Sequence, residues 1–264
     1  MAESTDRLAD VQSGRDVREL VIDKVGVKNI RYPVVVLDKA QGQQQTVASI
    51  SMFVDLPKEF RGTHMSRFVE ILNEFRGRIG VKDVGRILEE MKRRLAATSA
   101  HLEVSFPYFI EKRAPVSGAA GLMEYECAIS AELRGERPDV VVEVRVPVMT
   151  LCPCSKEIAE FGAHNQRGRV RVRFRFVRFV WIEDIIALVE ESASSPVYSV
   201  LKREDEKFVT ERAYQNPAFV EDVVREVAQR LAATPGVSWF EAEAEAFESI
   251  HNHSAYAYIR SGDA

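Results

Sequence analysis

Apolar positions in this chain keep two rhythms. Over NIRYPVVVLD and TVASISMFVDLP, β-branched residues crowd together on either side of AQGQQQ, which predicts a β-hairpin. Through GTHMSRFVEILNEFRGRIG the period lengthens: a helix starting at Thr63 or Ser66 sets Phe68, Ile71, Leu72 and Phe75 on one face. Val84, Leu88, Met91 and Leu95 support a second helix between Val81 and Ala97. HLEVSFPYFIEKR and LMEYECAISAEL, with SGAAG between them, then predict two more strands.

The same order returns in the second part of the chain. DVVVEVRVPVMTL and GRVRVRFRFVRFV predict strands, and WIEDIIALVEES and NPAFVEDVVREVAQRLAATPG predict helices. VSWFEAEAEAFESI and HNHSAYAYIRS predict the closing strands. No sequence period links the two parts, so the repeat is one of element order alone. The fold expected is α+β, with two ββααββ-like halves whose antiparallel sheets are covered by helices on one face. Residues 1–20 read as a charged, mobile leader, 21–137 as the first half and 138–264 as the second.

Arginine alternation in RVRVRFRFVRFV invites a nucleic-acid reading, which the overall charge opposes. Period two puts Arg169, Arg171, Arg173 and Arg175 on one face and Val170, Val172, Phe174 and Phe176 on the other. Net charge is -4, so a polyanion would need a local basic pocket, and EAEAEAFE is an acidic strand able to complement the arginines. The chain has 264 residues, 46% hydrophobic and 29% charged, the balance of a globular protein with a sizeable core. Its three cysteines, two of them separated only by Pro153, do not form a disulfide framework and suit a reducing compartment. MAESTDRLADVQSGRDVREL lacks the apolar stretch of a signal peptide, and no run is apolar enough to span a bilayer; a cytoplasmic protein is expected.

Chemically unusual residues concentrate in VPVMTLCPCSKEIAEFGAHNQRGRV, from Val146 to Val170. Pro153 biases Cys152 toward an extended backbone, which would place Cys152 and Cys154 on the same side. SKEIAEF can form a short helix stopped at Gly162, returning His164 toward the cysteines. Thiolate and imidazole are ligands for a borderline-soft divalent metal, and three protein ligands with one open position leave room for an activated water. Against this stands the plainer reading of a free cysteine as a small buried hydrophobe.

The wording CPCSKEIAEFGAHNQRG resembles the signature of the type IB GTP cyclohydrolases, and the likeness continues through GTHMSRF at 62–68, LKREDEKFVTERAYQNP at 201–217 and ESIHNHSAYA at 248–257. It implies the tunnelling fold (T-fold) twice in one chain, with a barrel formed on oligomerisation, here expected as a homotetramer. It also implies a metal-dependent enzyme converting GTP and water to 7,8-dihydroneopterin triphosphate and formate, the first step toward folate-type pterins and the queuosine precursor. KREDEKFVTE by itself reads as a solvated loop; the resemblance makes Glu206 the third metal ligand beside Cys152 and His164. Such a sulfur, nitrogen and oxygen set suits Zn²⁺ or Mn²⁺.

Asn216 and Pro217 predict a helix start, as N-cap and first helical residue, with Glu221 one turn further in. Glu221 complements the helix dipole or accepts the ring N–H and exocyclic amine of guanine, and the resemblance favours the second role. His251 and His253, close to Glu248, are either packed and hydrogen-bonded or, beside a metal, a general acid and base. Arg67, Lys156, Arg167, Lys202 and Arg203 lie in or beside the signature segments and suit a triphosphate, although each alone is a common surface charge. His64 belongs to a signature segment, His101 reads as structural and Cys127 as core. The chain lacks a Walker-type loop and a dinucleotide fingerprint. Two rival readings remain: a related tunnelling-fold enzyme on another pterin or deazapurine, or releasing a cyclic phosphate; and a non-enzymatic module with a structural metal. The spare acid and base residues disfavour the module, because structural zinc sites are closed by four ligands.

Overall fold

The computed structural model describes residue 12 and residues 14–76 and 80–262. Most of the expected leader therefore lies outside the described residues; within it, Gln12 and Gly14 accept backbone hydrogen bonds from Gly62 and Arg61. By contact the chain forms two compact units, Met1–Val104 with Ile129–Val140, and Ser105–Ala128 with Val141–Ala264.

In the first unit, β1 (Ile22–Asp38) and β2 (Gly42–Leu56) make the expected antiparallel hairpin, paired from Ile22↔Leu56 to Asp38↔Gly42. Gly42, at φ 81°, supplies the left-handed backbone that closes the turn. Helices α1 (Met65–Glu74) and α2 (Val84–Leu95) pack on each other and on this hairpin. Their apolar stripes, Phe68, Ile71 and Leu72 with Val84, Leu88 and Met91, are buried together with Ile50, Met52 and Val54 of β2. Phe75 leaves that stripe, because it caps α1 instead of continuing it. The following hairpin, β3 (Ala100–Arg113) and β4 (Ala120–Leu133), is divided between the units.

The second unit continues with β5 (Asp139–Leu151), α3 (Pro153–Ile158), β6 (Asn165–Phe176), α4 (Ile182–Ser192) and β7 (Ser195–Pro196). It ends with α5 (Arg203–Gln215), α6 (Val220–Ala233), β8 (Val237–Ala246) and β9 (Ala255–Arg260). Within this unit the antiparallel neighbours are β5 with β6, β6 with β8 and β8 with β9, and β7 is attached to β5. Helix α6 packs on β8 and β9, and α4 against α6. Val223, Val227 and Leu231 of α6 are buried with Val170, Val172 and Phe174 of β6.

The arginine face of β6 finds its partners within the chain. The β6–β8 register sets Arg169 opposite Glu245, Arg171 opposite Glu243 and Arg173 opposite Glu241, with ion pairs of 3.2, 2.6 and 2.6 Å. Arg175 instead stacks on the Trp239 ring at 4.3 Å.

Two local readings are corrected. The segment 202–211 is not a solvated loop: it opens α5, whose Asp205, Val209 and Ala213 form a buried stripe at helical spacing that the run of charges concealed. Asn216 is the C-cap of that helix and not the N-cap of the next; α6 starts at Val220, where the Phe219 N–H donates to the Asp222 carboxylate at 3.1 Å.

Asp205 is fully buried and accepts from the N–H groups of Val116, Ser117 and Lys202 at 2.8, 2.9 and 2.8 Å and from the Ser117 hydroxyl at 2.5 Å. Although burial opposes the charge, these donors hold its carboxyl well below the usual carboxylate range. A depressed native value contributes stability above the unfolded pKa of about 3.9, and that stability is lost as pH falls below it. Asp205→Asn is therefore expected to unfold at lower denaturant than the parent at pH 7, with the gap closing below pH ~4. Denaturant titration at both pH values checks this.

Candidate active site

The β5–β6 register determines what meets at the end of this hairpin. Its last pairs are Thr150↔Gln166 and Leu151↔Asn165, so Cys152 and His164 are the next residues out, joined by a bond from the Cys152 N–H to the His164 carbonyl at 3.1 Å. Ser155 holds this corner. Its N–H donates to the Cys152 sulfur at 3.4 Å, its hydroxyl donates to the Cys152 carbonyl at 3.1 Å, and its oxygen accepts the His164 N–H at 3.2 Å. Pro153 starts α3 instead of prolonging an extended turn, so Cys152 and Cys154 do not share a side: Cys152 is the N-cap and Cys154 is an exposed helical residue. The helix ends at Ile158, before Gly162, whose φ of 72° makes the return toward His164.

Neighbouring segments complete the surroundings. The Leu151 N–H donates to the Ser194 hydroxyl at 3.1 Å, and the Leu151 carbonyl accepts from Ala218 at 3.1 Å. That second bond brings the start of α6, and with it Glu221, to the end of β5. A cavity of about 260 Å³ is lined by Cys152, His164, Glu221, Glu248 and His251. Thr150, Gln166, Phe219 and Tyr256 also line it, and the sequence reading had given none of them a role. Gln166 lies inside the motif that carries the resemblance, but nothing in its residue type marks it.

His164 Nδ1 is surrounded by oxygens: Gln166 Oε1 at 3.0 Å, Ser249 Oγ at 3.3 Å and Glu248 Oε2 at 4.0 Å, the last too long for a hydrogen bond. Glu248 Oε2 is buried and has no hydrogen-bond partner among the described residues. His251 and His253 lie in the loop before β9 and not in a strand, with ring centroids 5.2 Å apart and planes at 21°. They therefore adjoin each other by stacking, not by strand alternation.

Other predicted site residues stand elsewhere. Glu206 is exposed on the first turn of α5 and does not line this cavity. Tyr214, near the far end of α5, accepts the Lys156 ammonium through its carbonyl at 2.6 Å. At 1.5 Å per residue, Glu206 lies about 12 Å along the helix from that contact. Lys156 also lies 4.4 Å from the Tyr214 ring. Arg167 lines a second cavity, of about 460 Å³, with Arg145 and Arg169. Lys202 is the N-cap of α5, and Arg67, in the first unit, donates to the Arg94 carbonyl at 3.1 Å. His101 is buried beside Glu132, its basicity lowered mainly by burial, and Cys127 is buried with its thiol pushed up by the same cause.

Among the described residues, no group of three or more His, Cys, Asp or Glu side chains is arranged to hold a metal ion. The donors present still suit a divalent ion beside Cys152 and His164: a thiol, and an imidazole whose Nδ1 faces Gln166 Oε1, which leaves the other ring nitrogen to a metal.

The chain is similar to uricases of known structure. Against uricase from Arthrobacter globiformis the TM-score is 0.50 at 9% identity, covering 90% of this chain and 92% of that one. Against a Bacillus fastidious uricase it is 0.54 at 5% identity, covering 91% and 92%. At such identities the likeness concerns the fold alone. Sequence relatives lie much nearer. GTP cyclohydrolase FolE2 of Syntrophobacter fumaroxidans is 60% identical over 253 residues, 96% of this chain and 98% of that protein. GTP cyclohydrolase FolE2 of Geobacter metallireducens is 60% identical over 252 residues, 96% of each. The family model of type I GTP cyclohydrolase folE2 matches residues 8–257, a span that contains every side chain lining the cavity beside Cys152 and His164, and the chain belongs to that family.

Proposed function

We propose that this protein is a metal-dependent GTP cyclohydrolase that converts GTP and water to 7,8-dihydroneopterin triphosphate and formate at the cavity beside Cys152 and His164, in the first step of pterin biosynthesis. The meeting of a thiol, an imidazole, Glu221, Glu248 and His251 around one cavity carries the reading. Family membership favours it over a structural metal module and over the related enzymes on other pterins or deazapurines.

Cys152 and His164 would hold Zn²⁺ or Mn²⁺, which supplies the Lewis acidity that makes water nucleophilic at neutral pH. Glu206 is the third ligand proposed. Its distance along α5 from the Lys156 contact fits a carboxylate delivered by another copy of the chain, and this accords with a homo-oligomer, taken as a homotetramer, whose sheets close a barrel of tunnelling-fold halves (21–137 and 138–264). Glu221, on the first turn of α6, accepts guanine's ring N–H and exocyclic amine and so orients the imidazole carbon toward Cys152 and His164. His251 and His253 transfer protons: one protonates the leaving ring nitrogen while the other takes a proton from the hydrated carbon, which opens the ring to a formamide. A second water then releases that carbon as formate, and reclosure of the ribose-derived chain returns one water, so that one is consumed overall. About 260 Å³ is less than a whole-ligand pocket and suits the heterocycle; Arg67, Lys156, Arg167 and Lys202 are proposed for the triphosphate. Three free cysteines accord with a reducing, cytoplasmic setting. No helix among the described residues is long and apolar enough to cross a membrane.

Glu221 makes the substrate assignment testable. Glu221→Gln replaces an acceptor of two hydrogen bonds by an amide that turns a donor toward one of guanine's donors, at a cost of about 2 to 4 kcal/mol in kcat/KM for GTP. Inosine triphosphate lacks the exocyclic amine, so the parent should discriminate against it and the variant should discriminate less. Equal turnover of GTP, inosine triphosphate and ATP by the parent protein would remove guanine recognition from this site.

A further inference from the structure

His164 can offer Nε2 to a metal only if its proton sits on Nδ1, and the β5–β6 hairpin supplies what holds it there. Gln166 stands directly across the hairpin from Thr150. Its Nε2 donates to Thr150 Oγ1 at 3.0 Å, which turns its Oε1 toward His164 Nδ1 at 3.0 Å. Thr150 is buried, so this anchor is shielded from water. The opposite amide orientation would aim an N–H at Nδ1 and force the ring proton onto Nε2. Glu248 decides between the two: its unpartnered oxygen, 4.0 Å from Nδ1, is an acceptor only and favours a proton at Nδ1. Ser249 Oγ at 3.3 Å adds a third oxygen on the same side.

We infer that Gln166, anchored by Thr150, is a positioning residue that holds His164 as its Nδ1–H tautomer and so presents Nε2 to the metal. The inference rests on the reading of His164 as a ligand. Gln166→Leu removes the acceptor. Gln166→Glu keeps an acceptor for the Nδ1–H and can accept from the Thr150 hydroxyl. Thr150→Val removes the anchor with almost no change of shape.

The test uses the full-length protein stripped of metal, with zinc alone as the probe. Zinc affinity is read by competition with a chromogenic chelator, and the His164 tautomer by nitrogen-15 NMR of the metal-free protein. The parent should show His164 Nε2 unprotonated. Gln166→Leu and Thr150→Val should bind zinc about 10- to 100-fold more weakly and show a mixed tautomer, while Gln166→Glu retains both properties of the parent. Parent-like affinity and tautomer in Gln166→Leu would overturn the inference. So would loss of affinity in Gln166→Leu that Gln166→Glu fails to restore, since that pattern belongs to packing. His164→Ala separates the two levels: if it binds zinc as the parent does, the metal site itself is misplaced; if it does not, while Gln166→Leu does, only the role of Gln166 fails.

Discussion

Alanine at Cys152 is expected to leave a folded protein that carries no metal and turns over GTP more than about 10⁴-fold more slowly, the scale on which removal of a central reacting group shows. The side chain does little for the fold: its sulfur accepts one long bond, from the Ser155 N–H at 3.4 Å, whereas the corner itself is tied by backbone and Ser155 hydroxyl bonds that alanine keeps. His164→Ala should behave in the same way. Cys127→Ala is the control, because that thiol is buried in the second unit's core and is absent from the cavity, and it should keep both metal and turnover. Elemental analysis beside steady-state turnover reads the result; stoichiometric metal with full activity in Cys152→Ala would displace the site.

His251→Asn and His253→Asn form the second large expectation: each should bind metal normally yet slow formate release by a factor on the order of 10² to 10⁴. His251 lines the cavity, and the His253 ring stacks on it with centroids 5.2 Å apart, so both imidazoles stand beside the proposed reaction site. Asparagine keeps some polarity and bulk but cannot take up a proton. Single-turnover formate release with metal content measured on the same sample separates the two roles. A metal-free His251 or His253 variant would make that histidine a ligand and return Glu206 to the surface.

How much of this was legible beforehand follows from what each residue depends on. Strand and helix positions set by apolar rhythm were readable nearly to the residue, as Asp139–Leu151 and the stripe Phe68, Ile71 and Leu72 show. The helix Arg203–Gln215 was hidden, because its buried stripe is led by the carboxylate of Asp205, whose donors come from residues 116 and 117. Capping at Phe219 was missed for a similar reason: the acceptor, Asp222, follows the helix start, while Asn216 and Pro217 offered a nearer and more familiar signal. Cys152, His164, Glu221, Glu248 and His251 were singled out from the sequence and line one cavity, but Gln166 and Ser249 act on a neighbour's ring nitrogen, and only the register of β5 and β6 and the loop before β9 bring them to it. Glu206 rested on resemblance alone, and its own chain leaves it outside the cavity.

Formate release from GTP tests the central claim most directly. Protein stripped of metal and resupplied with Zn²⁺ or Mn²⁺ should release one formate for each pterin triphosphate formed, and the stripped sample should release none. Metal-loaded protein that binds GTP and yields neither formate nor pterin would contradict the account.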